Sequence, residues 1–285
     1  MKEQKKKRIN RSWYGDTTIF IVLALLGAFM ALPLIYSIVQ AFKPLEEIYL
    51  FPPRFFVNNP TLSNFTQLSQ VANNLWVPFS RYLFNSLFVS IVVTVGHVIV
   101  ASMCAYPLAK HKFPGRNSIF QIITMALVFS GGTLALPQYI VMAKLGMINT
   151  YWALILPGIA TSLGLFLMRQ FMLQIHDSLL ESARIDGASE FRIFWSIVMP
   201  AVKPAWLTLA LFAFQAIWNN NGAMFIYTEE YKMLPMALQQ IQAGGIARMG
   251  ISSAAALILM VPPILTFIIT QSNVIETMTQ SGMKD

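Results

Sequence analysis

The residues that could do chemistry in this chain are few, and they suit recognition better than bond-making. Gln215, Asn219, Asn220 and Asn221 place four amides close together beside the indole of Trp218. Amides can hydrogen-bond the hydroxyls of a sugar, and an indole offers it a stacking face. The same groups within a membrane can instead hold helices together. A second concentration runs from Glu181 to Pro204, a charged island between two long apolar runs. Ser178 and Glu181 have the spacing of a capping box, which predicts a helix start. Gly187 is a natural end for that helix. Phe191, Phe194, Trp195 and Val198 then fall at i, i+3, i+4 and i+7, an apolar stripe on one helical face. Pro200 and Pro204 punctuate its end. Short helix, glycine turn and amphipathic helix predict a compact hairpin.

Bond-breaking machinery has no counterpart to these groups. Cys104 is the single cysteine, and His97, His111 and His176 are scattered without ligand spacing, so neither a disulfide nor a metal site is expected. His97, inside an apolar run, reads as a hydrogen-bonded interior residue. No Gly-x-x-x-x-Gly-Lys occurs, so ATP hydrolysis through a P-loop is not expected on this chain. No catalytic residue and no cofactor are assigned to it. The net charge of +8 comes from basic residues lying beside apolar runs, which disfavours a nucleic-acid surface.

The elements that would position these groups follow from composition. With 56% hydrophobic and 11% charged residues, the chain departs far from a soluble average. Six Lys or Arg within Met1–Arg11 precede an apolar run from about Thr17 to Phe42, too long for a signal peptide. Five further runs follow at about Tyr82–Ala109, Ser118–Ala143, Thr150–Leu173, Pro204–Tyr227 and Ile251–Ile275. Each exceeds the roughly 20 helical residues needed to cross a bilayer, and lipid-exposed backbone must be helical. The prediction is an all-α polytopic membrane protein: a basic tail over 1–16, six spans over 17–275 with a loop at 174–203, and a short tail over 276–285. With the N-terminus inside, 14 basic residues lie on the inner side and 6 on the outer, the bias that the positive-inside rule demands. Both termini and the hairpin then face the cytoplasm. The longest outer loop, about Lys43–Arg81, carries Pro52, Pro53, Asn58, Asn59 and Pro60 and reads as irregular.

Apart from Arg169 near an inner end, the runs contain no Asp, Glu, Lys or Arg. Ion-coupled carriers and voltage sensors need ionisable groups in the bilayer, so energy is expected to enter elsewhere, through the exposed hairpin. Helix breakers at Pro33, Pro107, Gly131, Gly132, Pro137, Pro157, Pro262 and Pro263 are sites where kinks could shape a cavity, or simply the usual Gly and Pro of membrane helices.

At the hairpin the chain resembles the cytoplasmic EAA loop of permease subunits of type I ABC importers. Glu181, Ala183, Asp186, Gly187, Ala188, Phe194, Ile197 and Pro200 stand at matching positions; Ser182 replaces an alanine and Met199 a leucine. Leu145-Gly146-Met147-Ile148-Asn149-Thr150 is similar to a stretch ahead of the fourth span in the carbohydrate branch. Trp218-Asn219 matches its Trp-Asn-Glu, from which Asn220 departs. The ending Ser281-Gly282-Met283-Lys284 looks like that of the maltose-type subunit. The resemblance implies the type I importer permease fold in the bacterial cytoplasmic membrane, within the lipid bilayer. It also implies a second homologous permease, an ABC ATPase dimer carrying ATP and Mg, an extracytoplasmic solute-binding protein, and a sugar substrate. Glu181, Ser182, Ala183, Asp186, Gly187, Ala188 and Pro200 would couple to the ATPase, and Gln215, Trp218, Asn219 and Asn221 would line the substrate path. Import of a non-sugar solute is the nearest alternative; an ion-coupled carrier and a non-transporting scaffold lie further off.

Orientation is directly testable. In a Cys104-free background, cysteines at Ser63 and Gln242 are expected to react with an impermeant thiol reagent in intact cells. Cysteines at Ser118 and Ser189 are expected to react only after the membrane is opened, and the opposite pattern would invert the topology.

Overall fold

The computed structural model describes residues 13–73, 77–129, 131–243, 245 and 248–282. The basic residues of the N-terminal tail, together with Met283 and Lys284, lie outside this set. Every regular element among the described residues is helical. The chain divides into two compact units, one of residues 1–69 and 244–257, the other of residues 70–243 and 258–285.

The first unit contains α1 (Trp13–Ala41), α2 (Leu45–Ile48), most of α3 (Ser63–Asn73) and the start of α14 (Met249–Gly282). The stretch that carries Pro52, Pro53, Asn58, Asn59 and Pro60 is irregular and exposed, as its composition suggests, but it lies between two helices and is held in place by side chains. Asn64 is buried and its amide donates to the carbonyls of Ala41 and Lys43, at 2.9 and 2.7 Å. Lys43 is only 2% exposed and its ammonium donates to the Arg54 carbonyl. The Glu47 carboxylate accepts from the N–H groups of Asn58 and Asn59, at 3.0 and 2.9 Å. These bonds hold the Glu47 carboxyl below its ordinary range, Asn58 contributing most and the charge of Lys43 adding to them. Buried polar groups must be paired, and here their pairing folds the segment. Gly250 completes the knot, since a Cβ there would stand 2.3 Å from the Asn64 amide oxygen.

The second unit is built around α4 (Phe79–Lys110), 32 residues long and so about 48 Å at 1.5 Å per residue. Around it pack α7 (Trp152–Ile159), α8 (Ser162–Met172) and α12 (Lys203–Trp218). One apolar cluster lies toward the C-terminal end of α4, with Ala101, Ala105, Met168, Met172, Ala205 and Leu209 among its buried members. Another lies toward the N-terminal end, around Val89, Val93, Leu154, Ile217 and Ile226.

Among the described residues, four elements are long and apolar enough to cross a membrane: Trp13–Ala41, Phe79–Lys110, Trp152–Met172 and Met249–Gln271. A fifth arises only if Glu190–Ala201 and Lys203–Trp218, bent by 81°, count as one. The expected count of six is therefore not reproduced. The run Ser118–Ala143 is split into α5 (Arg116–Ala126) and α6 (Gly131–Lys144). At the end of α5 the Leu127 and Val128 N–H groups bond to the carbonyls of Thr124 and Met125, an i→i+3 tightening that closes a helix, and Gly131-Gly132 follow. The run Pro204–Tyr227 likewise stops being helical at Trp218. Asn220 and Asn221 end it, their side-chain oxygens accepting from the N–H groups of Gly222 and Ala223 at 2.9 and 3.1 Å. Such local bonds offer the backbone an alternative to helix.

Candidate functional site

The hairpin forms, with different details from those expected. Its first arm is α9 (Asp177–Ile185), whose N-cap is His176, without a side-chain capping bond. Ser178 is thus inside the helix, and the Ser178–Glu181 capping box does not form. Glu181 is exposed, and among the described residues no hydrogen bond or ion pair engages its carboxylate. The arm ends as expected at Gly187, with φ of 80°. The N–H of Ala188 bonds to the Ala183 carbonyl and that of Gly187 to the Arg184 carbonyl, both at 3.0 Å, which is the Schellman arrangement.

The second arm is α10 (Glu190–Ile193), a π turn at Phe194–Val198 and α11 (Met199–Ala201). Ser189 caps it, accepting from the Arg192 N–H at 3.3 Å. The π turn overturns the expected stripe. Ile193, Phe194, Val198, Met199 and Val202 are buried, whereas Phe191 and Trp195 are 68% and 38% exposed. Wider turns bring residues five apart onto one face. Pro200 supplies a cause, because it lacks an N–H and its ring crowds the carbonyl four residues back.

Apolar burial seats the hairpin. Leu180, Ile193, Phe194 and Val198 join the cluster formed by α4, α8 and α12, with Ala183 and Ala188 packed against it. At about 1.5–3 kcal/mol for each large side chain, this seat outweighs the polar contacts around it. Those contacts orient it. The Glu190 carboxylate accepts from the Tyr106 hydroxyl at 2.8 Å and from Arg184 Nε at 2.7 Å, and His111 Nε2 lies 3.5 Å away. Lys110 donates to Asp177 at 2.7 Å and also reaches the Ile175 carbonyl. Arg184 holds the Glu190 carboxyl below its ordinary value, the Tyr106 bond adding to the effect; Lys110 does the same for Asp177. Glu190 remains 47% exposed, so its pairing contributes no more than about 1 kcal/mol. The outward face of α9 carries Glu181, Ser182, Ile185 and Asp186, with Ile185 86% exposed. A cleft of about 660 Å³ opens beside Ser182, between the end of α8, α9 and α11.

The proposed substrate-path residues fare differently. Trp218 is fully buried, stacks on Phe214 at 5.7 Å and donates its indole N–H to the Leu259 carbonyl at 3.0 Å. That carbonyl's helical partner would be Pro263, which has no N–H, so the indole repairs a gap in α14 and offers no stacking face. Asn219 bonds back to the Gln215 carbonyl at 2.9 Å, and the Asn221 amide donates to Gln239 at 3.2 Å. The first of these bonds lies within the end of α12 and the second reaches the helix Leu234–Gln242, and Asn219 is still exposed. A cavity of about 310 Å³ does lie between α4, α7, α8 and α12, and its polar lining is His97, Gln138, Thr161 and Asn220. Gln138 and Thr161 went unread in the sequence, although each lies close to a proline inside an apolar run (Pro137, Pro157).

The segment Leu145–Thr150 acquires a physical basis. Gly146, with φ of 66°, ends α6 through bonds from its own N–H and that of Met147 to Ala143 and Met142. Asn149, with φ of 63°, occupies a left-handed position that asparagine tolerates. Its side-chain oxygen accepts from the Tyr227 N–H, the Thr228 N–H and the Thr228 hydroxyl, at 3.0, 3.0 and 3.1 Å. Nearby, buried Asn85 on α4 accepts from the Tyr151 hydroxyl and donates to the carbonyls of Glu230 and Lys232. Residues 228–234 are thereby tied to the first turns of α4.

A long helix with a seated hairpin at one end and a tied loop at the other defines a membrane permease fold. The structure superposes on a chain of a bacterial ABC transporter involved in the import of the acidic polysaccharide alginate with a TM-score of 0.78, covering 93% of this chain and 99% of that one at 21% identity. Residues 71–276 match the family of binding-protein-dependent transport system inner membrane components, and the chain belongs to that family. It is 33% identical over 233 residues to Protein LplC of Bacillus subtilis, covering 79% of this chain and 75% of that protein. It is 30% identical over 273 residues to the arabinooligosaccharides transport system permease protein AraQ of Halalkalibacterium halodurans, covering 93% and 94%.

The Glu190 clamp carries a pH prediction. Its folded pKa lies below the ordinary 4.5, so its contribution is complete above that value and is lost as pH falls through the depressed one. Hydrogen exchange at residues 184–193, corrected for intrinsic rates, is expected to show constant protection from pH 8 to 5.5. Glu190→Gln is expected to weaken that protection severalfold at pH 7. A wild-type loss of protection between pH 7 and 5.5 would show that the Glu190 pairing does not set the stability of this segment.

Proposed function

We propose that this chain is a transmembrane subunit of an ATP-driven carbohydrate importer, coupled through Glu181–Pro200 to a separate ATPase. The observation that carries this reading is the hairpin itself: its inner face is seated in the core, while Glu181, Ser182, Ile185 and Asp186 face outward. A knob that keeps a charge and an exposed isoleucine unpaired is suited to a groove on another protein. The Ala183 and Ala188 methyls serve its seating, and Gly187 serves its turn. Glu181 would pair with a basic group of the ATPase, where ATP and Mg would bind. Closure of an ATPase dimer would move the hairpin as a lever on α4, α8 and α12, giving alternating access.

Carbohydrate as the cargo is supported by the relative named for arabinooligosaccharides and by the alginate importer that shares the fold. Also in this reading, a second homologous permease completes the pathway, an extracytoplasmic binding protein delivers the sugar, and both termini lie in the cytoplasm. The 310 Å³ cavity, with His97, Gln138, Thr161 and Asn220 as its polar groups, becomes this chain's share of the path in place of Trp218, Asn219 and Asn221.

Two substitutions test the coupling. Glu181→Gln removes the charge without disturbing an intrachain contact, and Ser182→Trp fills the docking face without touching the strained turn at Gly187. The glutamine variant is expected to co-purify with the ATPase but to lose about tenfold in hydrolysis stimulated by loaded binding protein, the scale of one charged hydrogen bond. The tryptophan variant is expected to lose the ATPase on purification. Normal stimulation in the first and retained ATPase in the second would place the docking surface elsewhere.

A further inference from the structure

The element Trp152–Met172 has span length, yet it is not continuous: α7 ends at Ile159, α8 begins at Ser162, and Ala160 and Thr161 lie between them in non-helical conformations. A break in apolar surroundings leaves backbone groups without helical partners. One side chain from α4 meets this break. His97 is 1% exposed, and its Nδ1 lies 2.7 Å from the Ile159 carbonyl, which can only accept, so Nδ1 carries the proton. In the neutral ring Nε2 is then an acceptor, and the Thr161 hydroxyl donates to it at 3.0 Å. The ring thus holds both sides of the interruption, one through backbone and the other through a side chain.

Two more features make this contact specific. A Cβ on Gly164 would stand 2.2 Å from His97 Nε2 and 2.5 Å from Cε1, so the first turn of α8 accommodates the ring only because that residue is glycine. The break is also bordered by open volume. The 310 Å³ cavity reaches Pro157, Gly158, Thr161 and Leu163. A second cavity of about 210 Å³ is lined by Ile159, Ala160, Thr161 and Ser162 together with Cys104 and Ile123. Close packing ordinarily resists movement of a helix; here α7 is packed on α4 up to Ile159 and Ala160 keeps one helical bond, to the Leu156 carbonyl at 3.2 Å, while the turn beyond has room beside it and is tied across by the imidazole.

We infer that His97 is a positioning residue that pins the interrupted span to α4 through Ile159 and Thr161, and that this pin sets the width of the cavity between α4, α7, α8 and α12. Releasing it lets the break shift and opens the neighbouring 210 Å³ space. The inference concerns this chain alone and holds whatever solute is carried.

Cys104, the single cysteine, lines that space but is itself exposed; Ala101 lines it too and is buried, so the reporter is Ala101→Cys in a Cys104→Ser background. This full-length protein, taken as wild type for the comparison, is labelled in native membranes with N-ethylmaleimide, and the rate at the introduced cysteine is followed. Thr161→Val keeps the side-chain volume and removes the hydroxyl, while Thr161→Ser keeps the hydroxyl. The valine variant is expected to raise the labelling rate severalfold, the change that one lost hydrogen bond makes in an opening equilibrium. The serine variant is expected to label at the wild-type rate, with the thermal midpoints of both purified variants matching wild type. His97→Gln, which retains an amide donor for Ile159 but no ring, is expected to fall with the valine variant. Wild-type labelling of Thr161→Val would overturn the inference. So would an increase shared by Thr161→Ser and accompanied by a fall in thermal midpoint, since that pattern belongs to general loosening of the core.

Discussion

A carbonyl released from a helix inside an apolar layer must find a donor within the protein, and much of this structure answers that demand. Water cannot supply the bond there, and leaving it unmade costs several kcal/mol. Pro263 releases the Leu259 carbonyl, and the Trp218 indole takes it up. The break at residues 160–161 releases the Ile159 carbonyl, and His97 takes it up. At the C-terminal end of α4, the carbonyls of Leu108 and Ala109 receive Arg169 and Arg116. Three of these repairs join elements distant in sequence, and the fourth ties α5 to the adjacent end of α4, so an interruption in a helix can also become a tertiary fastening.

The same demand explains why α4 is the spine of its unit. Its first turns carry Asn85 and Ser86, fully buried, which bind the segment 230–234 through backbone groups. Its middle carries His97. Its last turn carries Tyr106 and Lys110, which orient the hairpin. A charge-free helix could supply apolar contact along its length, but contact alone does not fix register. The polar residues, spaced along one long helix, give each neighbouring element a single position.

How much of this was legible in the sequence depended on the range of the interaction concerned. The hairpin is legible because Gly187 and the flanking charges act locally, and the structure places a left-handed glycine turn there, closed by two backbone bonds. The capping box does not form because Asp177, paired with Lys110 from α4, brings the helix start forward to His176; that pairing is 67 residues distant. The apolar stripe does not hold because its period of 3.6 gives way to a π turn ahead of Pro200. The amides after Trp218 extend the apparent span because composition does not show whether an asparagine bonds to its own backbone. The segment Leu145–Thr150 was recognised as a likeness, but the reason for its asparagine lay in Tyr227 and Thr228, which sequence spacing does not bring near.

A lever transmits force only if it is stiffer than the joints beyond it. The hairpin is built stiff: its arms are cross-braced through Arg184 and Glu190, its turn is closed by two backbone bonds, and its inner face shares one apolar cluster with three long helices. Beyond it the chain changes course at two places, the first braced by the Trp206 indole, which donates to the Met199 carbonyl at 3.1 Å. Between α11 and α12 the chain turns by 81° at Val202, and in Trp152–Met172 helical bonding lapses at residues 160–161. On the proposed reading, displacement imposed on the outward face of α9 would pass through the hairpin to the bend at Val202 and the interruption at residues 160–161. One of those places borders the 310 Å³ cavity. The proposed docking face would then be connected with the shape of a cavity in the span without requiring any helix to bend along its regular length.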